Sequence, residues 1–272
     1  MTITFAELVS SSPASRLEGL DGYAVPDTSR LKSVTTGPEG IAELASSGIM
    51  VSSASDDNII YYDPDFQLYN IKINFSNLGT GNVFVVEPSN PCVIEATIFS
   101  KNGLIILCGA QYCSLNIFVE GEKACFYCGP CCYIGEVRCW VGANSVLAIG
   151  EDCMTGWAVG IRTADFHGVF DLATLETLNA PRDTIIGPHV WLSHDVTVMK
   201  GATIGAGSII GAGSIVTKAV PACCSAAGRP ATVQRHGVSW SRLHTPPAEE
   251  IASIRSREYI AREITDRPKI SD

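Results

Sequence analysis

Long apolar runs are missing from this chain, and charge is scarce. No stretch approaches the roughly 20 consecutive apolar residues of a membrane span, so none is expected. Asp, Glu, Lys and Arg make up only 17 % of the 272 residues, while hydrophobic residues make up 46 %. Disordered chains have the opposite balance, so a packed core is expected. With 19 Lys and Arg against 28 Asp and Glu, the formal net charge is −9. There is no long basic run, which argues against nucleic acid as the main partner. The opening residues, MTITFAELVSSSPAS, lack a basic stretch followed by an apolar core. No export signal is read there, and a soluble, cytoplasmic protein is expected. The length allows one large domain or two small ones.

Cysteine, by contrast, is plentiful. There are eleven: Cys92, Cys108, Cys113, Cys125, Cys128, Cys131, Cys132, Cys139, Cys153, Cys223 and Cys224. An odd count without an export signal argues against a disulfide framework. The run Cys125, Cys128, Cys131, Cys132 has a spacing that binds zinc in other settings. The competing reading is core packing, with cysteine acting as a small apolar residue. It is preferred, because Cys108, Cys128 and Cys132 fall at inward positions of the repeat that follows.

That repeat has a period of six. Ile186, Leu192, Val198, Ile204, Ile210 and Val216 are all branched aliphatics. Four residues after each come Val190, Val196, Ala202, Ser208, Ser214 and Val220, all small or β-branched. On a helix, steps of six would scatter the aliphatics around the surface. One long strand would need alternation instead. The period suits a short strand plus a tight corner, so that three such units close one triangular coil. Gly187, Gly205 and Gly211 follow their aliphatics, where glycine is expected to supply corner dihedrals and room. Stacked coils bury a continuous aliphatic column, so each coil needs its neighbours.

A weaker repeat lies upstream in VFVVEP (83–88), LIILCG (104–109), ACFYCG (124–129) and VLAIGE (146–151), read as coils with small insertions at corners. The segment 163–183 lacks the period and is read as a loop thrown out from a corner. Residues 1–70 are read as an N-terminal cap with a short helix in PEGIAELASSG ending at Gly48. The solenoid is placed at 71–240. A helical tail is expected at 241–272, starting at Thr245-Pro246 with the Thr as N-cap. There Ile251, Ile254, Tyr259, Ile260 and Ile264 roughly share a face that could cover the open end of the column.

From Ile186 to Arg235 the chain resembles the hexapeptide-repeat acyltransferases. Within them it looks like the bacterial polysaccharide and sugar O-acetyltransferases. IGEDCM (149–154), IRTADFH (161–167), the run 186–218, AAGRPATVQR (226–235) and Trp240 in GVSW carry the match. The resemblance implies an all-β, left-handed parallel β-helix, a homotrimer with sites between columns, acetyl-CoA as co-substrate and a saccharide acceptor.

It also implies roles for particular residues. A hydroxyl is a poor nucleophile while protonated, and histidine can take and return its proton near neutrality. His167 matches the family's catalytic base. Asp165, two residues away, is the candidate to orient its ring, and Ala164 stands where a serine is common. Trp191, read as a corner residue whose indole projects outward, matches a tryptophan beside the acetyl group or pantetheine arm, and its N–H could help hold an oxyanion. His194, Ala212, Thr217, Lys218 and Arg235 match coenzyme contacts, with Lys218 and Arg235 suited to phosphate. Thr232 stands where another basic residue is frequent.

Rival readings remain. One is N-acetylation of an amino sugar nucleotide. Another is a zinc site at His189 and His194, whose spacing of five matches two ligands of the γ-class carbonic anhydrases, although His189 falls three residues after Ile186 rather than two. The last is a purely structural solenoid. No metal is expected on the preferred reading.

Overall fold

The computed structural model describes residues 5–24, 26–65, 70–87 and 92–265. The side chains of Phe5, Ala6, Leu8, Ile264 and Thr265 lie outside that description, and with them the expected contribution of Ile264. Among the described residues the strands form two long sheets of eight and thirteen strands. The second bends along its length, so the solenoid has three faces. The first face stacks Ile59–Tyr62, Val83–Val86, Leu104–Leu107, Cys125–Cys128, Val146–Ile149, Thr184–Ile186 and Thr203–Ile204 in parallel. The second carries Met154–Thr155, Trp191–Leu192 and Ile209–Ile210, and the third carries Val159–Arg162, Thr197–Val198 and Ile215–Val216.

The six-residue period maps onto these faces directly. Ile186 pairs with Ile204, Leu192 with Ile210 and Val198 with Val216, one pair per face and each pair one full coil apart. All six are buried in one continuous column. Each contributes roughly 1.5–3 kcal/mol by leaving water. Upstream, the longer repeat has a different cause from the expected corner insertions. Cys92–Lys101, Tyr112–Glu122 and Tyr133–Val141 are single strands that run across both the second and third faces. A long bent strand replaces two short ones and the corner between them.

The glycines also work differently from expectation. The corner dihedrals belong to residues two positions further on. His189, Asp195, Gly207, Gly213 and Cys223 hold positive φ, and Gly187, Gly205 and Gly211 do not. What Gly187 and Gly205 supply is space, because a Cβ on Gly205 would lie 2.3 Å from Ala222 N and one on Gly187 2.8 Å from Ala206 N.

The coils begin before the expected boundary at residue 70. Ile49–Ser53 pairs in parallel with Ile71–Phe75, and Ile59–Tyr62 with Val83–Val86, so both are rungs of the same ladders. The helix Pro38–Ser46 precedes them. The most N-terminal described segment lies across the outside of the first face. There Val9, Ala14 and Leu17 pack with Val85, Ile106, Cys125 and Tyr127.

Cysteine is core material, as expected, but Cys108 is not inward. Leu107 pairs with Cys128, which pairs with Ile149, so Cys108 is one step out of register and joins the outer cluster. None of the eleven cysteines is in a disulfide; ten are buried and Cys131 is exposed. Burial pushes the Cys125 thiol up to about 12 and raises Cys139 and Cys153 as well, so these thiols stay protonated.

The C-terminal tail forms two helices, Ala248–Ser256 and Glu258–Thr265. The first is capped by Pro247, with no side-chain cap, rather than by Thr245. Ile254 and Ile260 are buried against Cys223, while Ile251 is exposed. The helices therefore line the corner between the first and second faces instead of covering the column's end. That end is closed by Ala231–His236, which pairs antiparallel with Cys224–Gly228. No helix among the described residues is long and apolar enough to cross a membrane.

Candidate active site

Strand alternation sets which side chains leave the second face. Tyr112, Tyr133, Met154, Trp191, Ile209, Ser225 and Arg235 are in lateral register on its outer side. Their following neighbours Ile134, Thr155, Leu192, Ile210 and Ala226 point inward and are buried. Trp191 and Arg235 thus share one row, three rungs apart, or ~14 Å at ~4.8 Å per rung.

His194 and Ala212 lie at the corner between the second and third faces. Gly213 N donates to His194 O across successive coils at 2.9 Å. The His194 ring packs on Trp157, with centroids 4.9 Å apart, and its Nδ1 accepts the Trp157 backbone N–H at 3.0 Å. Trp157 is 65 % exposed and was not singled out from the sequence.

His167, Asp165, Thr217 and Lys218 occupy the far side of the third face, at its corner with the first. Met199 N donates to Val216 O, which stacks Thr217-Lys218 one coil beyond Met199-Lys200. His167 is exposed at the rim of a cavity of about 280 Å³ whose walls include Glu120, Ala143, Phe166 and Asn179. Phe166 holds a left-handed φ of 60°, strained for a bulky residue, and its ring meets Phe118 edge-on at 5.4 Å.

Asp165 does not orient the imidazole. Its Oδ2 accepts from Lys200 Nζ at 2.5 Å and from Asn179 Nδ2 at 3.0 Å. Chiefly through the Lys200 bond, its carboxyl lies below the ordinary value. Asn179 Nδ2 also donates to His167 O at 2.7 Å, and its Oδ1 accepts from Val169 N at 2.7 Å. Lys200 and Asn179 therefore staple the loop's two ends, and no hydrogen bond to the His167 ring occurs among the described residues. The sequence signal for Lys200 was available, since it stands one full coil before Lys218.

Within one chain the two groups are far apart. Tyr133 is in the Trp191 row and Trp140 pairs with Arg162, beyond which the His167 loop begins. Seven strand residues at ~3.3 Å make a path of roughly 23 Å along a strand that bends at the corner between the second and third faces, and the two groups sit at opposite ends of it.

His189, the first member of the imagined zinc pair, has both ring nitrogens engaged. Nδ1 lies 2.8 Å from Asp152 Oδ2 and Nε2 lies 3.0 Å from Trp240 O. The ring is buried and stacks on Trp240, while His194 points out at a different corner. Their donor atoms do not converge.

The row-and-corner geometry is that of a left-handed hexapeptide-repeat β-helix. Residues 183–218 match the family model of the bacterial transferase hexapeptide, six repeats. The fold is shared with the crystal structure of the polySia specific acetyltransferase NeuO. The TM-score is 0.55 at 23 % identity, over 74 % of this chain and 98 % of that one. In sequence, the chain is 44 % identical over 106 residues to a polysialic acid O-acetyltransferase of Escherichia coli O1:K1 / APEC, covering 39 % of this chain and 34 % of that protein. It is 39 % identical over 67 residues to the polysialic acid O-acetyltransferase of Neisseria meningitidis, covering 25 % and 30 %. The matched segments span about a third of each of these relatives.

Proposed function

We propose that the protein is an acetyl-CoA-dependent O-acetyltransferase that acts on a saccharide hydroxyl. The observation that carries this reading is the split of the candidate residues between two sides of one column. Trp191, His194, Ala212 and Arg235 lie on the second face and its corner, and His167, Thr217 and Lys218 lie across the third. A groove between two copies, one offering each side, would unite them. A heterologous contact of that kind closes into a ring, here a homotrimer. The 163–183 loop supports it, since Val169, Phe170, Leu172, Leu175 and Leu178 are all exposed and need cover.

The residues fit the co-substrate. The Trp191 row offers an apolar track to a pantetheine arm, and coil corners offer backbone N–H and C=O groups to its amides. Arg235 and Lys218 are exposed cations suited to phosphate. His167 would take the proton of the acceptor hydroxyl, which attacks the thioester carbonyl directly. The oxyanion would be held by a backbone N–H or by Trp191, and the departing thiolate would recover the proton from His167. Eleven cysteines, an odd count with ten of them buried in the packed interior, favour a reducing compartment, hence the cytoplasm. Polysialic acid, named for both relatives, is the first acceptor to test.

The test is the melting temperature with acetyl-CoA, with CoA and with zinc, followed by mass spectrometry of polysialic acid, neutral saccharides and amino sugar nucleotides incubated with the protein. A coenzyme at 100 times its Kd should add about 2.7 kcal/mol. No shift with either coenzyme overturns the reading, and acetyl groups found only on amines would replace it with N-transfer.

A further inference from the structure

We infer that the C-terminal segment acts as a clamp that fixes the indole of Trp191, with Trp240 as a positioning residue held by His189. The inference deepens the reading of Trp191 as a coenzyme contact and rests on it for its kinetic consequence.

The corner between the first and second faces carries a column of left-handed residues, including Cys131, Asp152, His189 and Cys223. That conformation turns their side chains away from the column, toward the C-terminal segment. Trp240 lies on this corner, 6 % exposed. Its ring is stacked on the His189 imidazole at 4.3 Å and 8°, and the Arg242 guanidinium covers it at 5.5 Å. Trp240 Nε1–H donates to His189 O at 2.7 Å, and His189 Nε2–H donates back to Trp240 O at 3.0 Å. A carbonyl only accepts, so the proton on Nε2 is required.

Behind this pair, Asp152 receives hydrogen bonds from Arg242 and Arg257, and its Oδ2 lies 2.8 Å from His189 Nδ1, which Arg257 Nη1 also meets at 2.9 Å. Burial opposes its ionisation, but these neighbours outweigh it and hold the carboxyl well below the usual carboxylate range. Arg257 begins the last helix's approach, and it also meets Tyr259 Oη at 3.3 Å.

The other side of Trp240 faces Trp191, with centroids 6.2 Å apart at 50°. Trp191 is only two residues after His189, on an outward position of a two-residue strand. A short strand with one half-exposed indole leaves that side chain free to change rotamer. Trp240 fills the volume on one side of it, so the rotamers that swing Trp191 toward the corner are closed. The clamp thereby holds the start of the Trp191–Arg235 row in one shape.

The experiment is a double-mutant cycle with a spectroscopic arm. Trp240→Ala should raise the KM for acetyl-CoA roughly tenfold with kcat within about twofold, because a loosened coenzyme contact loses binding common to the ground and transition states. Trp240→Phe keeps the stack and should restore most of the wild-type KM. In a Trp191→Ala background, with the Kd of acetyl-CoA read by calorimetry in all four proteins, Trp240→Ala should add nothing, and effects that multiply overturn the inference. Should Trp240→Ala fail to fold, Arg242→Ala removes one side of the sandwich and serves the same cycle. For the second arm, Trp140→Phe with Trp157→Phe leaves Trp191 as the sole tryptophan when Trp240 is Phe or Ala, excited at the red edge where tyrosine does not absorb. Anisotropy decay should show a more mobile indole with Ala than with Phe, and equal mobility overturns the clamp. This arm needs no coenzyme. If acetyl-CoA does not bind the wild-type protein, the proposed function fails while the anisotropy comparison still decides the clamp.

Discussion

A loop histidine is ordinarily free to turn, and His167 is steadied through its backbone rather than its ring. Asn179 holds its carbonyl, and Phe166 before it is pinned in a left-handed conformation against Phe118. We expect His167→Ala to lower turnover by ~10²–10⁴ while leaving acetyl-CoA binding unchanged, read by steady-state kinetics and calorimetry. Turnover close to wild type would remove it from the mechanism. Asp152 gives a pH prediction. Its folded pKa is depressed, so its contribution is complete above the unfolded value of ~3.9 and declines as pH falls below it. Asp152→Asn should cost roughly 3 kcal/mol at pH 7 by leaving two arginines uncompensated, and should flatten the acid limb of Tm against pH. An unchanged acid limb would show that the surrounding arginines do not stabilise the anion. Of these residues, His167 is the one that a local motif singles out. Asp152 and Trp240 were not joined by any local pattern, since they lie far apart in the chain and only the corner column brings them together.

At the scale of the rung, legibility followed the period. The aliphatics from Ile186 to Val216 were readable because three short units close one coil and every sixth residue points inward. The upstream rungs were misjudged in register because Cys92–Lys101 and its successors cross two faces without a corner, which removes the punctuation that fixes phase. Cys108 misleads for a simpler reason, since Gly129 and Gly150 directly follow the inward Cys128 and Ile149 whereas Gly109 comes two residues after the inward Leu107. Glycine shows the same lesson, since its role next to the aliphatic is clearance between coils rather than dihedral freedom. Gly205→Ala should cost ~1–3 kcal/mol by overpacking against Ala222 backbone, measured by urea unfolding. Gly168→Ala, with nothing within 4 Å of the new methyl, should cost far less. Equal costs would show that coil spacing is not the constraint.

For the whole molecule, the separation of Trp191 from His167 has a testable result. Chains carrying His167→Ala and chains carrying Trp191→Ala should each be inactive, yet each keeps the half the other lacks. Refolded together at equal amounts, about a quarter of the interfaces in random trimers would pair an intact His167 with an intact Trp191. Activity near a quarter of wild type supports a site shared between chains. No recovery, with trimers confirmed by light scattering, would mean that the groups do not meet across an interface. No sequence pattern revealed this division, because face assignment needs the three-sided closure and not the period alone.

The strand Ala231–His236 both ends the stack and carries Arg235. The solenoid can therefore lengthen in only one direction. A coil added downstream would push the cation away from Trp191, whereas whole coils added or lost upstream of Met154 leave the row from Trp191 to Arg235 untouched. Divergence in length among proteins built this way should accumulate on the N-terminal side, where coils can be added or lost while the row from Trp191 to Arg235 stays fixed.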